Sequence, residues 1–113
     1  MKKFMLIYHA SQDAWDESEN TTKEDKNKNM REWTAWAQKC GKQLVDFGTP
    51  LINGQQVHHD GSSTISKKDV MGYSVLQAEN LEAAQNLLKD HPHLAWKSDC
   101  SIEIHEKVDM IGM

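Results

Sequence analysis

Six histidines carry the chemical interest of this chain, and two of them stand one residue apart at His91-Pro92-His93. Imidazole changes protonation near neutral pH and serves as a general acid or base. His91 and His93, with His9 at the end of an apolar run, are therefore the candidate catalytic residues. The chemistry they suit is removal of a proton from an acidic carbon or a phenol, with no cofactor. Asp90 is placed to orient an imidazole. A structural role competes with this reading, because histidine leaving a helix C-terminus also satisfies free carbonyls and the helix dipole. Glu103 and His105 share one face of a strand. They form an acid–base pair if that face closes a cavity and a solvated pair if it does not, since a lone buried charge is expensive.

Other polar groups suggest less. His58-His59-Asp60 resembles a fragment of a metal site, but adjacent strand residues point to opposite faces. Zinc asks for three or four convergent ligands, and His91-x-His93 with Asp99 or His9 has no recognised spacing, so no metal is expected. Asp46 falls near the end of the first long helical pattern, where the dipole disfavours an anion, and this suggests pairing with a lysine or histidine. Cys40 and Cys100 form neither a CxxC pair nor a zinc spacing and are expected to be reduced thiols. There is no GxSxG, GxxxxGK or GxGxxG.

The elements that must position these groups follow from periodicity. Lys3–His9 reads as a strand with Phe4, Leu6 and Tyr8 on one face and Met5, Ile7 and His9 on the other. Residues 10–21 are polar loop with room for one helical turn, in which Trp15 either covers a cleft or seals the loop. Thr21-x-x-Glu24 has the form of a capping box. Behind it Met30, Trp33, Trp36, Ala37, Cys40, Leu44 and Phe47 recur at helical spacing. Gly41 either permits close packing within this helix or breaks it, and Gly48 and Pro50 are its stop signals. Leu51–His59 is a second, weaker strand, Asp60-Gly61-Ser62-Ser63 a turn, and Ser62–Asp69 a polar connection able to extend a hairpin. Val70–Gln77 is a strong strand with Met71, Tyr73 and Val75 on one face. Gly72 and Ser74 leave little bulk on the other face, where a ligand could lie. With Trp33, Tyr73 and His105, they are the candidate ligand-binding residues. Asn80 caps a second helix with the stripe Leu81, Ala84, Leu87 and Leu88, which Pro92 ends. Cys100–Glu106 is the last strand, and the apolar tail Val108–Met113 could add to a neighbour's surface.

The order β-α-β-β-α-β predicts an α+β, ferredoxin-like domain spanning residues 1–113. Its sheet has four antiparallel strands, strands one and three at the centre, and both helices on one face. The uncovered face predicts a homodimer, a dimeric α/β barrel. The formal net charge of −4 argues against nucleic acid as a partner. The first apolar run is too short for a signal peptide or a membrane span, so a cytoplasmic protein is expected.

Phe4-Met-Leu-Ile-Tyr8, Trp33-Thr-Ala-Trp36, Gly54–Val57 before Asp60-Gly61, and Val70–Ala78 resemble the YCII-related proteins, and within them the DGPF-domain branch. The likeness covers nearly the whole chain by order and spacing. It implies a dimeric α/β barrel and little about chemistry; related barrels include isomerases, cofactor-free monooxygenases and haem-binding enzymes. The Asp-Gly-Pro-Phe signature falls at Asp60-Gly61-Ser62-Ser63, where proline and phenylalanine are absent. Two functions are therefore expected to compete. One is a small-molecule binder or cofactor-free enzyme that uses histidine acid–base chemistry in a cleft. The other is a non-catalytic dimeric interaction or regulatory protein.

Overall fold

Period-two alternation governs the first element, whose Phe4, Leu6 and Tyr8 are buried while Met5, Ile7 and His9 are half-buried on the opposite face. The computed structural model describes residues 1–66 and 69–110, with only the backbone described at Gln12, Trp15, Ser18 and Glu19. The expectation for the Trp15 side chain lies outside the described residues, as does that for the end of the tail. In chain order the elements are β1 (Lys2–His9), α1 (Gln12–Glu19), α2 (Lys23–Cys40), a 3-10 turn (Gly41–Gln43), β2 (Leu44–Asp46), β3 (Gln55–Val57), β4 (Ser63–Ile65), β5 (Val70–Ala78), α3 (Leu81–Asn86), α4 (Pro92–Trp96) and β6 (Ser101–Glu106).

The fold is α+β, with a four-stranded antiparallel sheet in the order β2-β5-β1-β6. β1 and β5 hold its centre, as the order of elements predicts. Trp36 and Cys40 of α2 and Leu88 after α3 pack with Leu6, Tyr8 and Leu76. A second cluster joins Phe4, Ala78 and Ala84, and Ile104 touches both. Cys40 lies in the core and Cys100 is half-buried; both are free thiols. Among the described residues no helix is long and apolar enough to cross a membrane.

The structure corrects several local expectations. α2 begins after Thr22, whose hydroxyl accepts from the Asp25 N–H at 3.2 Å; Thr21 instead donates to the Glu17 carbonyl that closes α1. The helix stops at Cys40 because Gly41 takes a φ of +57° and returns its N–H to Ala37. Leu44 and Phe47 therefore do not extend the helical stripe, and Met30 of that stripe is exposed. The expected second strand at Leu51–His59 is displaced. Leu44–Asp46 takes the sheet edge because Leu44 can pack on the core, whereas the polar run after Gly54 forms a separate two-stranded hairpin with β4. Asp60 and Gly61 make the hairpin's turn as expected, with Ser62 donating to the Asp60 carboxylate from both backbone and hydroxyl.

A β-bulge separates Tyr8, paired with Gly72, from His9, paired with Val70. Met71 is the extra residue. It packs against the core cluster of Tyr8 and Trp36 instead of sharing a face with Tyr73 and Val75. Asn80 caps α3 as expected, accepting from Ala83 at 2.8 Å, but Leu81 is exposed rather than part of the buried stripe. Pro92 does more than end a helix. It occupies the first turn of α4, whose N-cap is His91.

Candidate functional site

The site is assembled where the end of β1, the middle of β5 and the start of α4 meet. Asp46, expected on a helix, lies on β2 and accepts the Gly48 N–H at 2.9 Å. That turn aims the Phe47 carbonyl at β5, where the Ser74 hydroxyl donates to it at 2.6 Å. The Tyr8 hydroxyl lies 2.7 Å from Ser74 Oγ and 3.2 Å from His91 Nε2. The other ring nitrogen, His91 Nδ1, accepts the His93 backbone N–H at 3.0 Å.

These contacts fix the direction of every hydrogen. A backbone N–H can only donate and a carbonyl can only accept. His91 Nδ1 therefore carries no proton, and the neutral ring donates from Nε2 to Tyr8. Tyr8 donates to Ser74, and Ser74 donates to Phe47. His91 is wholly buried, packed edge-on to Trp33 at 4.7 Å and tilted against Trp36 at 4.3 Å between ring centroids. Burial, and secondarily the neighbouring His93, pushes its pKa down to about 3. Burial also raises the Tyr8 phenol above its ordinary value against the opposing Ser74 hydrogen bond. The chain is thus a neutral, fully bonded polar seam in an aromatic core. It holds geometry, and His91 has no free nitrogen to offer a substrate.

In front of Tyr8 lies a cleft of about 950 Å3, walled by Trp33, Phe47, Gly72, Tyr73, His93 and Trp96, with charged Asp25, Lys26 and Glu32 of α2 at its margin. The Trp33 and Phe47 rings stack with centroids 6.3 Å apart. His93 donates from Nε2 to the His9 carbonyl at 2.8 Å. Burial lowers its pKa, opposed by the His9 and Ser101 carbonyls.

Four of the expected site residues, Trp33, Gly72, Tyr73 and His93, therefore share one cleft. Ser74 and His91 stand behind it in the polar seam. His9 and His105 belong elsewhere: Glu103 accepts from His9 Nε2 at 2.5 Å and from His105 Nε2 at 2.7 Å, on the half-open face of the sheet. Asp69 lies 3.6 Å from His9 Nδ1. His105, and then His9, holds the Glu103 carboxyl below its ordinary pKa. His58, from the metal-like fragment, bonds Thr64 in the hairpin. Among the described residues no three His, Cys, Asp or Glu side chains are grouped to hold a metal.

Sequence reasoning assigned no site role to Tyr8, Phe47 or Trp96. Tyr8 carried a signal: a hydroxyl on the buried face of a central strand needs a partner. No protein-family model matches this chain, and no curated protein matches it.

Proposed function

We propose that this protein binds a small, flat, largely apolar molecule in the cleft in front of Tyr8. The observation that carries this reading is the cleft itself. Its volume of about 950 Å3 lies within the ~300–1,000 Å3 typical of small-molecule sites, and Trp33, Phe47 and Trp96 bring aromatic rings to its walls. Any acid–base step in this cleft falls to His93, the histidine on its wall. Such a step would need no cofactor and would act on an acidic carbon or phenol. The resemblance to the DGPF-domain branch suits this reading and adds no substrate.

Titration with aromatic carboxylates and lactones, followed by 15N–1H NMR, tests it. Saturable shifts are expected at Gly72 and at the Trp33 and Trp96 indoles. Trp33→Ala and Trp96→Ala are each expected to weaken binding roughly tenfold, the equivalent of about 1.4 kcal/mol. If no compound moves these resonances at millimolar concentration, the reading is wrong.

The sheet order is compatible with a ferredoxin-like arrangement, which would leave one sheet face without helices, and on that reading we propose a homodimer as well, closed through the face that carries Met5, Ile7 and Tyr73. The molecule is flat, with extents of 44 × 43 × 20 Å. It exposes 8116 Å2, whereas a compact chain of this mass exposes roughly 6,300 Å2. The surplus of about 1,800 Å2 exceeds the ~800 Å2 that each partner gives to a standard interface. The same observation favours the second reading, in which the dimer surface is itself the function.

A further inference from the structure

We infer that the β3–β4 hairpin is an arm with which one copy of this chain clasps a second copy. The inference rests on the dimer proposed above and names a surface that the sheet face does not include. The register pairs Gln55 with Ile65, Gln56 with Thr64 and Val57 with Ser63. Side chains directly opposite each other share a face, and alternate residues along a strand return to it. Val57 and Ile65 therefore lie on one face of the hairpin, flanked by Gln55 and Ser63. Gln56 and Thr64 lie on the other, where His58 bonds the Thr64 hydroxyl at 3.0 Å. Both apolar side chains of the arm are thus on one face, and they have no cover within the described chain: Val57 is 71% exposed and Ile65 67%.

Every residue of both strands is exposed, and the pair forms a sheet of its own. A hairpin standing alone is marginal in water, and three strands or a packed apolar face are needed to hold it. Natural exposed edges are usually blunted by charge or proline. Neither strand contains a charged residue or a proline. Such a hairpin suits packing against another chain.

A second copy is the occupant that the rest of the molecule supports. The exposed surplus of about 1,800 Å2 is more than a sheet-face interface of standard size requires. Twofold symmetry lets each copy give one arm and receive one. The arm also springs from the segment that walls the cleft: Pro50 bridges to Gly72, and Leu51 N–H donates to Met71 O at 2.9 Å. Clasping the arm therefore steadies that wall.

Sedimentation velocity of the full chain from about 1 to 500 µM tests this, with far-UV circular dichroism as the folding control. A wild-type dimer is expected. Val57→Ser with Ile65→Ser is expected to weaken it at least tenfold, while Gln56→Asp on the polar face leaves it unchanged. A dimer indifferent to the double substitution overturns the arm and leaves the sheet-face dimer standing. A monomer across the whole range overturns both. The cleft titration reads ligand binding separately from all of these outcomes.

Discussion

Acidification from pH 7 to pH 4 is expected to remove roughly 3 kcal/mol of stability through His91 alone. In the folded chain His91 titrates at about 3, against roughly 6.5 for an unperturbed imidazole. Between those values the unfolded chain binds the proton and the folded chain does not, so stability rises with pH across the window. The contribution is complete above about pH 6.5 and is lost as pH falls toward 3. Three physical reasons act in the same direction. The ring is wholly buried. Its Nδ1 is already an acceptor for the His93 N–H, so protonation there breaks the cap of α4. A cation at a helix N-terminus also meets the wrong end of the dipole. Burial lowers the His93 pKa too and adds a contribution of the same sign.

Urea unfolding at pH 7, 5.5 and 4 measures the effect, at one protein concentration because self-association would also shift the midpoint. His91→Asn keeps a cap acceptor and removes the titration. It is expected to be less stable at pH 7 but to lose roughly 3 kcal/mol less on acidification. Equal losses in wild type and variant would show that His91 is not the acid-sensitive group.

Gly48→Ala is expected to cost at least about 3 kcal/mol, a fall in Tm of roughly 12 °C for a domain of this size. Gly48 has a φ of +78°, and a Cβ there would lie 1.7 Å from the Tyr73 carbonyl oxygen. That oxygen is backbone of a central strand, so the clash moves β5 or opens the turn. Either movement takes the Phe47 carbonyl away from Ser74 and unties the seam behind the cleft. Gly61→Ala is the control. Its φ of +89° imposes a similar backbone penalty, but a Cβ there meets open space, so a loss of only about 1 kcal/mol is expected. Thermal unfolding of the two variants separates steric conflict from conformational preference. Equal losses would sink the steric explanation.

Local patterns carried much of the fold. Alternation along Lys3–His9 and Gly72–Gln77, the Asn80 cap and the Asp60-Gly61 turn are written in neighbouring residues, and each forms as expected. Errors arose where two local signals competed. The stripe through Leu44 and Phe47 continued at helical spacing, but Gly41 broke the helix and the sheet edge recruited Leu44–Asp46. At His91-Pro92-His93 a helix exit and a helix entry use the same residue types. A φ of +61° at Asp90 precedes the new helix, and His91 caps it.

By itself the sequence determined an α+β chain, the faces of its first strand and of most of the second central strand, and the residue types available for chemistry, because propensity and period act over a few neighbours. Only the tertiary structure decided which of those residues meet. Tyr8 reaches Ser74 across 66 positions and His91 across 83. It does so through the register of β1 on β5, the bulge after Tyr8 and the turn at Gly48. The same geometry sends His9 and His105 to the opposite face, where Glu103 holds both. Long-range pairing is chosen by packing of the whole core, and no local window of the chain contains that information.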